Sequence, residues 1–168
     1  MAMGTLNDVF TDQIEDLYSA ETQLVQALPK IAGAASDEKL QEAISEHLEE
    51  TREHVQRLQQ IKDDLGIIGS QECKGMAGLI AEGEEILGEP GGGAPKDAAI
   101  IAAAQRVEHY EIAAYGTART LAGELGYNDA KKLLGETLSE ESNADELLTK
   151  IATGGLLRSG VNAAANPN

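Results

Sequence analysis

Few residues in this sequence favour sheets or covalent cross-links. Of its 168 residues one is cysteine, none is tryptophan, and aromatic residues make up 3%. The single cysteine, Cys73, excludes an internal disulfide and fits a reducing compartment. Since aromatic and β-branched runs are scarce while Ala, Leu, Glu and Lys are plentiful, the composition favours helices over strands.

The chain is also poor in positive charge and in long apolar runs. Its 13 Lys and Arg residues face 29 Asp and Glu residues, which gives a net charge of −16. Such a charge repels phosphate backbones and anionic membrane surfaces, so we expect neither a nucleic-acid nor a membrane partner. Residues 1–10 lack the basic start and apolar run of a secretory signal, and no stretch approaches the roughly 18 apolar residues of a membrane span. We therefore expect a cytoplasmic protein.

Four segments with helical periodicity, bounded by glycine, proline and N-cap residues, account for most of the sequence. They are predicted to cover residues 5–34, 36–65, 95–125 and 128–153, with Ser36 as the N-cap of the second segment. The first two and the last two are joined by tight turns, which force antiparallel neighbours. About 30 residues connect the second segment to the third, and they include a short helical piece near 76–87 and a glycine-rich stretch.

This connectivity of two antiparallel hairpins, joined by a long crossover with a short accessory helix, predicts an all-α, ferritin-like four-helix bundle. The bundle is assigned to residues 1–155, and residues 156–168 are predicted to form a weakly ordered C-terminal tail. No strands are expected.

The apolar stripes of all four segments are interrupted by acidic residues near the middle of each helix. Glu21 lies about 14 residues before the first turn and Glu50 about 15 after it, while Glu111 and Glu141 hold the equivalent positions in the second hairpin. At about 1.5 Å per residue, all four lie roughly 21–23 Å from their turns. Antiparallel pairing therefore places Glu21 beside Glu50 and Glu111 beside Glu141, and the two pairs can share one level.

Carboxylates that meet in a bundle core cannot stay ionised and unpaired, because their desolvation is too costly. They must be protonated, paired with cations or bound to metal, and the stripes supply no Lys or Arg at this level. Two bridged divalent cations would neutralise them. Carboxylate oxygens with one or two imidazoles suit iron or manganese better than zinc. We therefore predict two iron ions, with manganese as the alternative.

A weak internal repeat extends this ligand set. Residues 48–54 align with 139–145, which places Glu50 over Glu141 as the predicted bridging pair and His54 over Asp145. Glu108 lies one turn before Glu111, and His47 lies one turn before Glu50. The predicted metal ligands are Glu21, His47, Glu50, His54, Glu108, Glu111, Glu141 and Asp145. The choice among His47, His54 and Asp145 stays open, and no catalytic residue is assigned.

Three motifs carry a family resemblance. The segment Glu108–Thr117, together with Tyr18–Glu21 and His47–Thr51, closely resembles the YciF family of bacterial stress proteins, and the likeness extends over nearly the whole chain. The resemblance implies a ferritin-like fold related to rubrerythrin-type di-iron proteins. The Glu-x-x-His motifs usual on the second and fourth helices of such proteins are absent here, so the nitrogen ligands are not assigned by analogy.

Three functions remain open from the sequence. The first is a di-iron oxidoreductase that reduces peroxide or dioxygen, which is consistent with a stress role. The second is iron sequestration without turnover, and the third is a metal-free bundle that acts through a protein partner. Tyr18 and Tyr115 lie about one turn from predicted ligands, where each either packs or takes a redox role. A homodimer is expected from alanine-rich faces on the third and fourth helices.

Overall fold

Four helices of 26 to 31 residues make up most of the protein. The structure, a computed structural model, describes residues 3–155 and 158–166. Its elements are α1 (Leu6–Ala34), α2 (Glu38–Leu65), α3 (Lys74–Gly88), α4 (Ala94–Glu124), α5 (Asn128–Thr153), β1 (Gly154–Gly155), β2 (Arg158–Ser159) and α6 (Val161–Ala165).

The helix ends follow local capping signals. Thr5 and Asp8 form a capping box at the start of α1, and Gly66 ends α2 with a left-handed φ of 67°. The first helical residue of α2 is shifted from the prediction, because Asp37 rather than residue 36 is the N-cap. The buried carboxylate of Asp97 accepts hydrogen bonds from the amides of residues 36 and 37, and this contact ties the first turn to the start of α4.

The long helices pack as two antiparallel hairpins. α1 lies against α2 and α4, and α5 lies against α4 and α2. The crossover helix α3 packs on α1 and α4. The predicted all-α bundle, with two hairpins and an accessory helix in the crossover, is confirmed.

Two apolar clusters fill the bundle, one on each side of a polar layer. The first cluster contains buried residues nearer the first turn, among them Leu24, Leu28, Leu40, Ile44, Ile100 and Leu148. The second cluster lies toward the other end and includes Phe10, Ile14, Leu58, Ile61, Ala118 and Leu134. Since burying each large aliphatic side chain contributes about 1.5–3 kcal/mol, these clusters hold the helices in register around the layer between them.

The C-terminal segment adds a small feature to the helices. Gly154 ends α5 with a φ of 77°. Although no strands were expected, β1 pairs with β2 in an antiparallel two-residue ladder. Val161 of α6 is buried in the first cluster. Residues 156, 157, 167 and 168 lie outside the described residues, so the weakly ordered tail and the division of the chain at residue 155 stay predictions. Within residues 3–155 and 158–166, no helix combines the length and apolarity required to cross a bilayer.

Candidate metal centre

The polar layer between the two clusters forms because its residues recur at helical spacing on the buried face of each helix. On α2, His47, Thr51, His54 and Leu58 follow one face at helical spacing and all are buried. On α4, the buried positions include Glu108, Glu111 and Tyr115. Glu21 from α1 and Glu141 from α5 complete the layer, each with 0% exposure. All four long helices therefore direct chemically active side chains into the same level of the core.

Six of these side chains form two groups that share one member. Ligand atoms of His47, Glu108, Glu111 and Glu141 all lie within 4.8 Å of one another, and so do those of Glu21, His54 and Glu141. Because Glu141 belongs to both groups, its two oxygens lie between them. The buried His and Glu groups have the donor types and spacing to hold a metal ion.

Distances within the layer are short on both sides of Glu141. His54 Nδ1 lies 3.0 Å from Oε1 of Glu141 and 3.3 Å from Oε1 of Glu21. His47 Nε2 lies 3.9 Å from Oε2 of Glu141 and 3.6 Å from Oε1 of Glu108. The 3.0 Å approach of His54 Nδ1 to Glu141 lacks hydrogen-bond geometry, so it is an electrostatic contact between the imidazole and the carboxylate.

Buried atoms without a hydrogen-bond partner show whether these residues fit a pair of metal ions. Among the residues that the structure describes, nine buried side-chain nitrogen and oxygen atoms lack a hydrogen-bond partner, and all nine belong to the six clustered residues. Buried polar atoms are almost always paired, because each unpaired one has a desolvation cost. Four carboxylates also carry the negative charge that two divalent cations would neutralise. The residues fit such a pair.

Burial shifts the acids of the layer toward their neutral forms. The pKa of Glu111 is raised well above its ordinary value by burial, with further repulsion from Glu21 and Glu141. Burial likewise raises the pKa of Glu108 to about 8, although the positive charge of His47 opposes the rise. The pKa of Glu21 is also raised by burial, against the attraction of His54.

The two imidazoles and Glu141 are instead shifted toward their charged forms. Burial alone would lower the pKa of His47, but Glu108, Glu50 and Glu141 together outweigh burial and raise this pKa to about 9. Burial would also lower the pKa of His54, yet Glu141 and Glu21 raise it to about 11. For Glu141, burial favours the neutral form, but attraction by His54 and His47 lowers the pKa. The layer thus collects protons when no metal is bound, and metal binding must release them.

Contacts beyond the six residues orient two of them. His54 Nε2 lies 2.9 Å from Oε2 of Glu140, which also accepts hydrogen bonds from the guanidinium of Arg57. Tyr115 is buried and its hydroxyl donates to Oε1 of Glu21. The contact of Arg57 and Glu140 with the site was not predicted from the sequence, because a contact between two helices produces no residue spacing within either helix. Tyr18, by contrast, has Lys62 Nζ 4.9 Å above its ring centre.

Two of the eight predicted ligands lie apart from the groups. The Glu50 side chain is 48% exposed and reaches Nδ1 of His47 at 3.6 Å. Asp145 accepts a hydrogen bond from Gln105 at 3.0 Å and approaches His109 Nδ1 at 3.4 Å. The structure brings neither carboxylate into the groups, and Glu141 alone occupies the shared position. A metal-binding role for Glu50 or Asp145 stays a prediction.

The family comparison covers nearly the whole chain. The sequence model of the family described as "Domain of unknown function (DUF892)" matches residues 5–165. The chain belongs to the DUF892 family. This match spans the four long helices of the DUF892 fold and all six clustered residues.

Relatives of this DUF892 protein confirm the likeness to YciF. It is 49% identical over 154 residues to Protein YciF of Escherichia coli (strain K12), covering 90% of this chain and 93% of the relative. The crystal structure of the E. coli stress protein YciF superposes with a TM-score of 0.85, covering 88% of this chain and 94% of that one. YcfI from Rhodopseudomonas palustris is 40% identical and also gives 0.85, with coverage of 89% and 96%. A Xanthomonas campestris protein, 17% identical with a TM-score of 0.68, shares the fold.

Proposed function

We propose that this DUF892 protein binds two iron ions in the polar layer and that the loaded centre reacts with peroxide or dioxygen during bacterial stress. One observation carries the proposal: two groups of unpaired buried ligand atoms share Glu141. The stress context comes from the relative YciF, which is described as a stress protein. Manganese is the alternative metal, because the same carboxylate and imidazole donors suit it.

The side chains divide into ligands and the groups that hold them. Glu21, Glu108, Glu111 and Glu141 would supply the negative charge that balances two divalent cations. His47 and His54 would bind as neutral imidazoles, one in each group. Tyr115 donates to Glu21 and Glu140 contacts His54 Nε2, so each holds the opposite side of a ligand.

A reduced iron pair supplies two electrons to peroxide or dioxygen when it is bound. Glu21, Glu111 and Glu141 are fully buried, so this part of the layer is out of contact with bulk water. Burial raises the pKa of Tyr115 well above its ordinary value, so its phenol stays neutral and donates a hydrogen bond to Glu21 next to the centre. From the sequence we also propose that the chain pairs with a second copy in a homodimer.

Iron sequestration without turnover is the second candidate, because it would use the same ligands. A structural role has been suggested in the name of the relative YcfI, and a metal-free bundle acting through a partner protein would correspond to it. The nine unpaired buried atoms favour a metal-binding role over that third function.

Stopped-flow oxidation separates reaction from storage. The chain is loaded anaerobically with ferrous iron and mixed with peroxide, and the near-ultraviolet absorption of ferric product is followed. We expect oxidation faster than that of free iron in the same buffer, and slower oxidation in Glu111→Ala. Glu146→Ala, an exposed acid on α5 paired with Lys150, is the control and should match wild type. A wild-type rate equal to that of free iron would leave sequestration as the better account.

A further inference from the structure

A cavity of about 140 Å³ adjoins the polar layer on the side of the first cluster. His47 and Glu108 line one end of it. Its other walls are mostly aliphatic, with Leu24, Leu28, Ile44, Ile80, Ile100 and Leu148 among them. The lining thus combines a hydrocarbon wall with His47 and Glu108 of the proposed metal centre, so a molecule in the cavity would contact both.

The most exposed part of the cavity lining lies on α2 and α5. Among its described lining residues, those that are exposed lie on these two helices: Glu46, Glu50, Asn143 and Leu147. Glu140 also lines it, and His47 presents two nitrogen atoms with no hydrogen-bond partner among the described residues. An entrance with three carboxylates, in a chain of net charge −16, repels anions. A neutral molecule meets no such barrier.

Volume sets the size of the occupant. An engineered protein cavity of about 150 Å³ with aliphatic and aromatic walls stays dry and binds benzene. A cavity of about 140 Å³ with mainly aliphatic walls accepts a molecule of the same class. The unpaired nitrogen atoms of His47 at its polar end favour an occupant with one hydroxyl or carbonyl oxygen.

We infer that this cavity binds a small neutral apolar molecule of about benzene size, with a single hydroxyl or carbonyl oxygen directed to His47 and Glu108. Binding depends on the shape and polarity of the cavity and needs no metal. Only the role of this molecule as a substrate of the centre rests on the proposed function.

Calorimetric titration with 1-hexanol tests the inference on the full chain, both metal-free and iron-loaded. Saturable one-to-one binding is expected. Ala104→Leu, which extends a side chain into the cavity from α4, should weaken it at least tenfold. Ala102 lies on the same helix, but it is exposed and does not line the cavity. The Ala102→Leu variant should therefore bind 1-hexanol as tightly as wild type does.

The inference is overturned if 1-hexanol shows no saturable binding, or if Ala104→Leu binds 1-hexanol as tightly as wild type does. Should Ala104→Leu lose its helical circular dichroism, Ala43→Leu near the entrance replaces it with the same expected loss. Iron stoichiometry is measured in parallel. Two bound irons without hexanol binding would contradict only the cavity inference, whereas hexanol binding without iron would contradict only the proposed function.

Discussion

The Nε2 atom of His54 lies 2.9 Å from Oε2 of Glu140 on α5, and its Nδ1 atom faces Glu141, the next residue along the same helix. Burial would raise the pKa of Glu140, but hydrogen bonds from Arg57 and His54 lower it, so Glu140 stays ionised. Adjacent acids on one helix thus contact opposite sides of a single imidazole. This arrangement leaves Nδ1 available as the ligand atom, in the way that carboxylates orient metal-binding histidines.

Replacing Glu140 should weaken metal binding without removing a ligand. In Glu140→Gln, the ionised acceptor at His54 Nε2 is lost, so we expect an affinity about 10- to 100-fold lower. Competition with a chelator of known affinity measures this. Glu146→Gln, which changes an exposed acid on the same helix, should leave the affinity unchanged. Equal metal affinities in wild type and Glu140→Gln would show that Glu140 does not orient His54.

The metal-free protein should lose stability as pH rises. Glu108 has a folded pKa of about 8 against an ordinary 4.5, so between those values the folded state binds more protons than the unfolded chain. His47 at about 9 and His54 at about 11, against 6.5, extend the effect to higher pH. Each extra proton lowers the free energy of unfolding by about 1.4 kcal/mol per pH unit.

Urea denaturation in the presence of chelator at several pH values between about 5 and 9 measures this dependence. The unfolding free energy should be greatest at the acidic end of the window. The lowered pKa of Glu141 acts in the other direction only below its ordinary value of 4.5, outside this window. A stability that rose with pH across the window would show that the layer does not hold excess protons.

Metal binding should stabilise the fold and reduce this pH dependence, because the ions replace the protons in the layer. With free metal about 100-fold above the dissociation constant, the gain is about 2.7 kcal/mol for each ion bound. Urea denaturation with ferrous iron, under anaerobic conditions, measures it against the same protein in chelator. An unfolding midpoint that chelation leaves unchanged, in protein verified to have carried metal, would contradict a core site.

The exposed position of Glu50 leads to a prediction about the number of metal ions bound. The sequence repeat assigned it as a bridging ligand, whereas its side chain is 48% exposed and lies outside both groups. On the geometry, Glu50→Gln should still bind two ions per chain. Metal analysis after loading and desalting measures the stoichiometry. A fall to one ion in this variant would restore Glu50 as a ligand and would mean that its side chain moves inward when metal binds.

Helical phase explains what the sequence could and could not predict about the centre. Glu21, Glu111 and Glu141 were identifiable because each interrupts an apolar stripe at a similar depth, and the structure gathers all three. The repeat aligned Glu50 with Glu141 by residue type, and this comparison ignores rotation about the helix. At about 100° per residue, Glu50 stands about 60° around α2 from His47, whereas His54 returns to within about 20° of it.

Other features depend on contacts between helices, and a single sequence does not encode these as a spacing. The bundle and its crossover could be predicted, because breakers and caps mark helix ends locally. The shift of the α2 cap to Asp37 could not, since it accompanies the hydrogen bonds from residues 36 and 37 to Asp97 on a distant helix. The pairing of Arg57 with Glu140 and the cavity beside His47 likewise arise from packing.

Anaerobic titration with ferrous iron, comparing wild type with Glu141→Gln, tests the central claim most directly. Glu141 is the residue shared by both groups, so its two oxygens are required for two ions to occupy neighbouring positions. Wild type and the surface control Glu146→Gln should each bind two irons per chain. Glu141→Gln should bind at most one, while keeping a helical circular dichroism spectrum. Two tightly bound irons in Glu141→Gln, or no tight binding in wild type, would contradict the proposed centre.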